Sequence, residues 1–107
     1  MEGLGDKVIG IQTAMDALEI YLDPLSEDWE RDYSAKMIGG LEAGREALLA
    51  TARDPQADGI LQQRAAECLS YAWRDQGVLM TADISGFAPS ALQEILFQRG
   101  EGPPYRG

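Results

Sequence analysis

The amino-acid sequence predicts an all-α protein, a compact bundle of about four to five helices. Three observations predict it. Apolar residues recur every three or four positions along several segments, proline and glycine punctuate the chain at helix-length intervals, and no run alternates with period two between turn residues. Helices joined by short connections are expected to pack antiparallel to their neighbours.

The first element has the clearest pattern. Leu4, Val8, Ile11, Met15, Leu18 and Leu22 recur at spacings of four, three, four, three and four, which is one apolar stripe on a helix from Leu4 to Leu22. A coiled coil needs such a seam for about three or four heptads, so the stripe reads as a core-facing helix. Asp23-Pro24 ends it, because the residue before proline is pushed out of the α region. Ser26-Glu27-Asp28 then offers a hydroxyl cap and acids for a first turn, where the helix dipole favours negative charge. A second helix is expected from Glu27 to Arg53 with Tyr33, Met37, Leu41, Leu48 and Ala52 inward. Gly39-Gly40 and Gly44 weaken its middle. Either the helix breaks or kinks there, or the small residues admit a close neighbour.

Asp54-Pro55 closes that region, and Asp58 is placed to cap a third helix from Gly59 to Gln76 with Leu61, Ala65, Cys68, Leu69 and Ala72 inward and Gly77 as its stop. The stretch from Val78 to Ile84 fits a helical turn or extended chain equally well. Pro89 suits the first position of a last helix, Pro89 to Arg99, with Leu92, Ile95 and Leu96 inward and Gly100 as the cap. Residues 1–100 form one expected domain, and residues 101–107 a loose tail.

Composition bounds the function. Apolar residues make up 45% of the 107 and charged residues 25%, the balance of a folded globular chain. No stretch approaches the roughly 20 apolar residues that cross a bilayer. Met1 to Asp6 lacks the cationic start and apolar centre of a secretory signal, and Cys68 has no partner for a disulfide, so a cytoplasmic location is expected. Cys68 sits in the apolar run Ala65 to Leu69 and is read as core.

The chain has no histidine, which removes the commonest general base, the commonest metal ligand and every Ser-His or Cys-His pair. A single cysteine cannot build a structural zinc site. Gly3-x-Gly5 and Gly39-Gly40 lack the rest of a phosphate-binding pattern. Asp28 and Asp32 could hold a divalent ion or act as acid and base, but they lie in a charge-rich stretch without an alternating oxygen-ligand loop. Neither an enzyme, a cofactor nor a metal is expected.

Eighteen acids against nine bases give a net charge of −9, whose field repels nucleic acid and anionic lipid. Asp16, Glu19, Asp23, Glu27, Asp28, Glu30 and Asp32 are opposed between positions 16 and 32 only by Arg31, so this segment holds six of the nine excess charges. Such acidity either keeps the protein soluble or steers a basic partner. Trp29 and Tyr33 lie one helical turn apart within it, either as interface anchors or as core residues. Tyr71 and Trp73 present the same choice, with Trp73 read as buried. The expected partner-binding residues are Asp23, Glu27, Asp28, Trp29, Glu30, Asp32 and Tyr33.

Two stretches carry a resemblance. Arg64-Ala65-Ala66-Glu67-Cys68-Leu69-Ser70-Tyr71-Ala72-Trp73, after Asp54-Pro55 and a polar link, resembles the second helix of a HEAT-type pair, in which an arginine and small residues pack on the preceding helix. With Phe87-Ala88-Pro89-x-Ala91-x-x-Glu94-Ile95, the stretch from Asp54 to Leu96 is similar to small acidic helical immunity proteins of bacterial polymorphic and contact-dependent toxin systems. That likeness implies cytoplasmic binding and neutralisation of a cognate toxin, here a basic toxin domain met by the acidic face. A helical adaptor or subunit of a larger assembly, which would show a broad apolar patch rather than a charged one, is the first alternative, and a small enzyme or ligand carrier, which would show a concave apolar pocket with converging polar groups and a perturbed pKa, is the other.

Overall fold

The computed structural model describes residues 13–101. Within them the chain forms five helices: α1 Ala14–Leu22, α2 Asp28–Ala35, α3 Glu42–Ala52, α4 Gly59–Gln76 and α5 Pro89–Gln98. No strand occurs among the described residues. The class is all-α, as the periodicity predicts.

Thr13 caps α1 in an extended conformation, its hydroxyl accepting from the Asp16 amide at 3.1 Å. A single unbroken helix from Leu4 is therefore not formed; Leu4, Val8 and Ile11 lie outside the described residues. The buried face of α1 is Ala17, Leu18, Ile20 and Tyr21, whereas Met15 and Leu22, expected inside, are each 60% exposed. The expected stripe counted only large aliphatic residues. Ala17, Ile20 and Tyr21 are also apolar and turn the inward face round the helix axis, and Tyr21 fixes that turn by donating its hydroxyl to Thr51 Oγ1 of α3 at 2.7 Å.

Asp23 ends α1 as expected, its carboxylate accepting from the Leu25 amide. Ser26 does not cap α2. Its buried hydroxyl donates to the Ile20 carbonyl at 2.7 Å, a second bond to an oxygen at the end of α1 that also accepts from the Asp23 amide at 3.3 Å. The cap is Glu27, in a reciprocal capping box with Glu30.

The expected helix from Glu27 to Arg53 is two helices, parted at residues 36–41. Both readings of the glycines hold, at different positions. The chain turns at Gly39-Gly40 and drives Ile38 wholly into the core, and at Gly44 a Cβ would overlap the Ile38 carbonyl, so that the small residue there admits its close neighbour.

α4 has the boundaries the sequence predicts, with Asp58 accepting from the Ile60 amide and Gly77 in the left-handed region at φ 75°. Leu61, Ala65, Cys68 and Leu69 are buried as expected, and Ala72 is half-buried. Because an L side chain in the left-handed region costs about 1 kcal/mol or more, Gly77→Ala should lower stability by about 1 kcal/mol, read as a shifted urea midpoint at unchanged m-value.

Residues 78–88 contain no helix, and two arginines hold them. Arg53 donates to the Ser85 carbonyl at 2.9 Å, while Arg99 donates to the carbonyls of Leu79 at 3.0 Å and Ala82 at 2.7 Å. Carbonyls that a helix would have used internally thus find partners. Leu79 and Phe87 are buried, and Phe87 stacks on Trp73 with ring centroids 6.4 Å apart, which places Trp73 against the core. In α5, Ala91, Glu94 and Ile95 are buried and Leu96 is half-buried. Leu92, expected inside, is 37% exposed, because Ala91 and Glu94 take the positions facing α4. Gly100 has φ 77° just beyond the Arg99 cap.

One hydrophobic cluster draws on all five helices, from Ala17 and Leu18 through Ala35, Leu48 and Leu69 to Ile95. α3 and α4 are antiparallel: Gly39 lies against Ala72, and Gln62 donates to the Asp54 carbonyl. α4 and α5 instead run the same way, since Gly59 meets Ser90, Gln63 donates to Glu94 and Arg74 to Gln98. Antiparallel packing was expected of helices joined by short connections, and the connection 77–88 is long enough to carry the chain back along the bundle. A HEAT-like succession of antiparallel helices therefore describes α3 and α4 but not α4 and α5.

Candidate protein-binding face

The acidic segment folds as α1, the turn at 23–27 and α2. Its expected partner-binding residues do not form a single surface. Glu30 is fully buried, its Oε1 accepting from the Glu27 amide at 2.7 Å while no described group pairs with Oε2. Asp32 is engaged by Arg64, which donates from Nε at 2.9 Å, and Arg64 also reaches Glu67 Oε1 at 2.7 Å. The bond to Asp32 holds the Arg64 guanidinium above its ordinary pKa. Glu30 builds the start of α2, and Asp32 clamps α2 to α4. Neither is a surface charge awaiting a partner.

Asp23 caps α1, and its carbonyl accepts from Arg31 at 3.0 Å. Glu27 is exposed on the capping turn, and Asp28 is exposed beyond a loose 3.6 Å contact with Arg31. Asp16 and Glu19 are exposed on α1. Asp28 and Asp32 face different cations, and among the described residues no cluster of acidic, cysteine or histidine side chains is placed to hold a metal ion.

Trp29 and Tyr33 settle the choice between core and surface. They are 51% and 48% exposed and lie on one face of α2, next to Asp28. The expectation that Tyr33 points into the core is overturned because α2 buries Glu30, Ser34 and Ala35 instead. Tyr71 is also half exposed. Three apolar residues nearby in the chain add to the surface: Met15, Leu22 and Leu25, the last 82% exposed. Sequence patterning missed them, since the spacing of Met15 and Leu22 is that of a core stripe. Only the position of Leu25 between Pro24 and Ser26, in a turn, could have marked it.

Beside this face lies an open depression of about 650 Å³ between α1, α2, α3 and the 54–58 turn. Leu22, Ala47, Ala50 and Leu61 give it apolar walls, and Asp28 and Asp58 stand on its rim. The elements thus present exposed aromatic and aliphatic side chains among exposed carboxylates. In a monomeric protein such groups are usually scattered singly; here five large apolar side chains between Met15 and Tyr33 of the chain are exposed.

Compared with protein families, curated proteins and solved structures, the chain shows no match. No helix among the described residues is long and apolar enough to cross a membrane.

Proposed function

We propose that this chain is a non-catalytic protein-binding inhibitor that docks on a basic surface of its partner through the face formed by α1, the 23–27 turn and α2. The observation that carries the reading is the half exposure of Trp29 and Tyr33 beside Asp28 and Glu27. Aromatic side chains bury much area at little entropic cost, and carboxylates at the rim steer a cationic partner toward them. A bacterial immunity protein that neutralises a basic toxin domain in the cytoplasm is the setting that the resemblance of Asp54 to Leu96 suggests.

The test is co-purification from source-cell lysate at low and high salt with the parent chain and two variants, followed by titration of the retained polypeptide. A basic polypeptide is expected, held more weakly at high salt. Trp29→Ala with Tyr33→Ala should weaken it at least about 100-fold, since each anchor contributes about 2 kcal/mol or more. Asp28→Lys should mainly slow association. Asp32 is unsuited to the test, because replacing it also breaks the clamp to Arg64. Unchanged affinity in the aromatic variant would remove this face from the interface.

The exposure of Met15, Leu22 and Leu25 favours one other reading, a helical adaptor or subunit joined to its assembly through apolar contact. Association indifferent to salt and to Asp28→Lys, but lost on Leu22→Asp with Leu25→Asp, would select it.

A further inference from the structure

A second recess lies between the 36–40 turn and α4, as an open groove of about 590 Å³. This volume falls within the roughly 300–1,000 Å³ of small-molecule sites. Its lining reverses the charge of the chain. Lys36, Arg45 and Arg64 all border it, although the whole protein carries a net charge of −9.

The three cations are not equally committed. Arg64 is used by Asp32 and Glu67. Arg45 donates one nitrogen to the Gly39 carbonyl at 3.0 Å, and its remaining donors meet no acceptor among the described residues. Lys36, exposed at the end of α2, forms no ion pair with any described carboxylate. Of the two carboxylates in the lining, Glu67 is held by Arg64 and by the Tyr71 hydroxyl at 3.0 Å, which leaves only Asp75 opposite Lys36 and Arg45. Asp32 of α2 stays bonded to Arg64, so what the groove offers a ligand is the Lys36 ammonium and the remaining donors of Arg45 rather than a net positive charge.

Shape and polarity complete the site. Gly39 seats the turn against α4, and at Gly40 the space where a Cβ would stand is empty, so the backbone forms an open lip. The half-exposed Tyr71 ring, with Arg74 5.9 Å from its centroid, joins Ala72 and Met37 as the apolar part of the lining that also holds Lys36 and Arg45. We infer that this groove binds a small organic anion, one with a carboxylate or phosphate for Lys36 and Arg45 and an aromatic or apolar body for Tyr71. None of Glu27, Asp28, Trp29 and Tyr33, which carry the protein-docking proposal, lines the groove.

The experiment is a backbone-amide NMR titration of the full chain with 2-naphthoate, phenyl phosphate, the uncharged 2-naphthamide and inorganic phosphate. Saturable shifts centred on Gly39, Gly40 and Ala72 are expected for at least one aromatic anion, at least about tenfold tighter than for the amide and for inorganic phosphate. Whichever of the two aromatic anions binds more tightly identifies the head group. Lys36 is exposed, and Lys36→Glu should weaken the preferred anion at least about tenfold. Arg45→Gln keeps an amide donor for the Gly39 carbonyl and should do likewise. Equal binding of anion and amide, equal binding of inorganic phosphate, unchanged affinity in Lys36→Glu, or no saturable shift at millimolar ligand would each overturn the assignment.

Discussion

Between pH 9 and pH 12 the protein is expected to lose about 5 kcal/mol of stability, much of what a domain of this size has. The loss comes from two buried acids that the fold keeps neutral. Burial pushes the Cys68 thiol from 9.0 up to about 11, with the nearby Glu67 charge adding to the effect and Arg64 opposing it. Burial likewise pushes the Tyr21 hydroxyl from 10.0 up to about 12, against the lowering effect of its hydrogen bond to Thr51. In each window the unfolded chain releases its proton while the native chain retains it. The unfolded state then binds fewer protons, so stability falls as pH rises, for Cys68 from about 9 to 11 and for Tyr21 from about 10 to 12. Each contributes about 2.7 kcal/mol.

Urea midpoints followed by circular dichroism from pH 8 to pH 12 test this. Lysines and surface tyrosines also titrate there, so the decisive comparison is between variants. Cys68→Ala should hold its midpoint to about pH 10, and adding Tyr21→Phe should flatten most of the remaining fall. A double variant with the same alkaline profile as the parent would show that neither group is held neutral by the fold.

How much of this architecture was legible in the sequence depended on which forces set each feature. The boundaries of α4 were legible because they rest on local chemistry: a carboxylate that caps, and a glycine whose φ of 75° few other residues accept. The direction of α5 was not, because it depends on Arg53 and Arg99 holding the 78–88 connection, and those bonds span up to 32 positions of sequence. The inward face of α1 was misjudged for a related reason. Counting large aliphatic residues favours Met15 and Leu22, whereas tertiary packing chose alanine and a tyrosine anchored to another helix.

The candidate site was legible in part, and its charges misled more than its aromatic residues. Seven acids in one segment looked like one surface, but a carboxylate is as useful to a fold as to an interface. Glu30 closes a capping box and Asp32 joins α2 to α4. Nothing in residue type separates those roles from that of exposed Asp28, because the partners come from the capping turn in one case and from α4 in the other. Trp29 and Tyr33 were correctly placed on one face, since a spacing of four fixes that, but which way the face points depends on what the rest of the bundle covers. The groove beside Tyr71 was invisible in the sequence, since Lys36, Arg45 and Arg64 meet only when the glycine turn between α2 and α3 is seated against α4.

The same turn sets the other large expected effect, Gly44→Ala. Intrinsic propensity says this change should help, because glycine inside a helix costs about 1 kcal/mol relative to alanine. Tertiary geometry gives the opposite sign. Gly44 is buried in the first turns of α3, and a Cβ there would overlap the carbonyl oxygen and carbon of Ile38, with the Ile38 Cβ only 2.9 Å away. The obstacle is backbone, not the end of a flexible side chain. Relief therefore requires moving either α3 or Ile38, which is itself fully buried. Overpacking of this kind typically costs about 1–3 kcal/mol, and with backbone as the obstacle the upper end, about 3 kcal/mol, is expected. Gly40→Ala provides the internal control, since a Cβ there meets nothing within 4 Å, and it should change stability by less than about 0.5 kcal/mol. Urea unfolding of the two variants beside the parent measures both. A Gly44→Ala chain as stable as the parent would mean that the 36–41 turn yields readily, and the close seating of Ile38 under α3 would then not be what fixes the angle between α2 and α3.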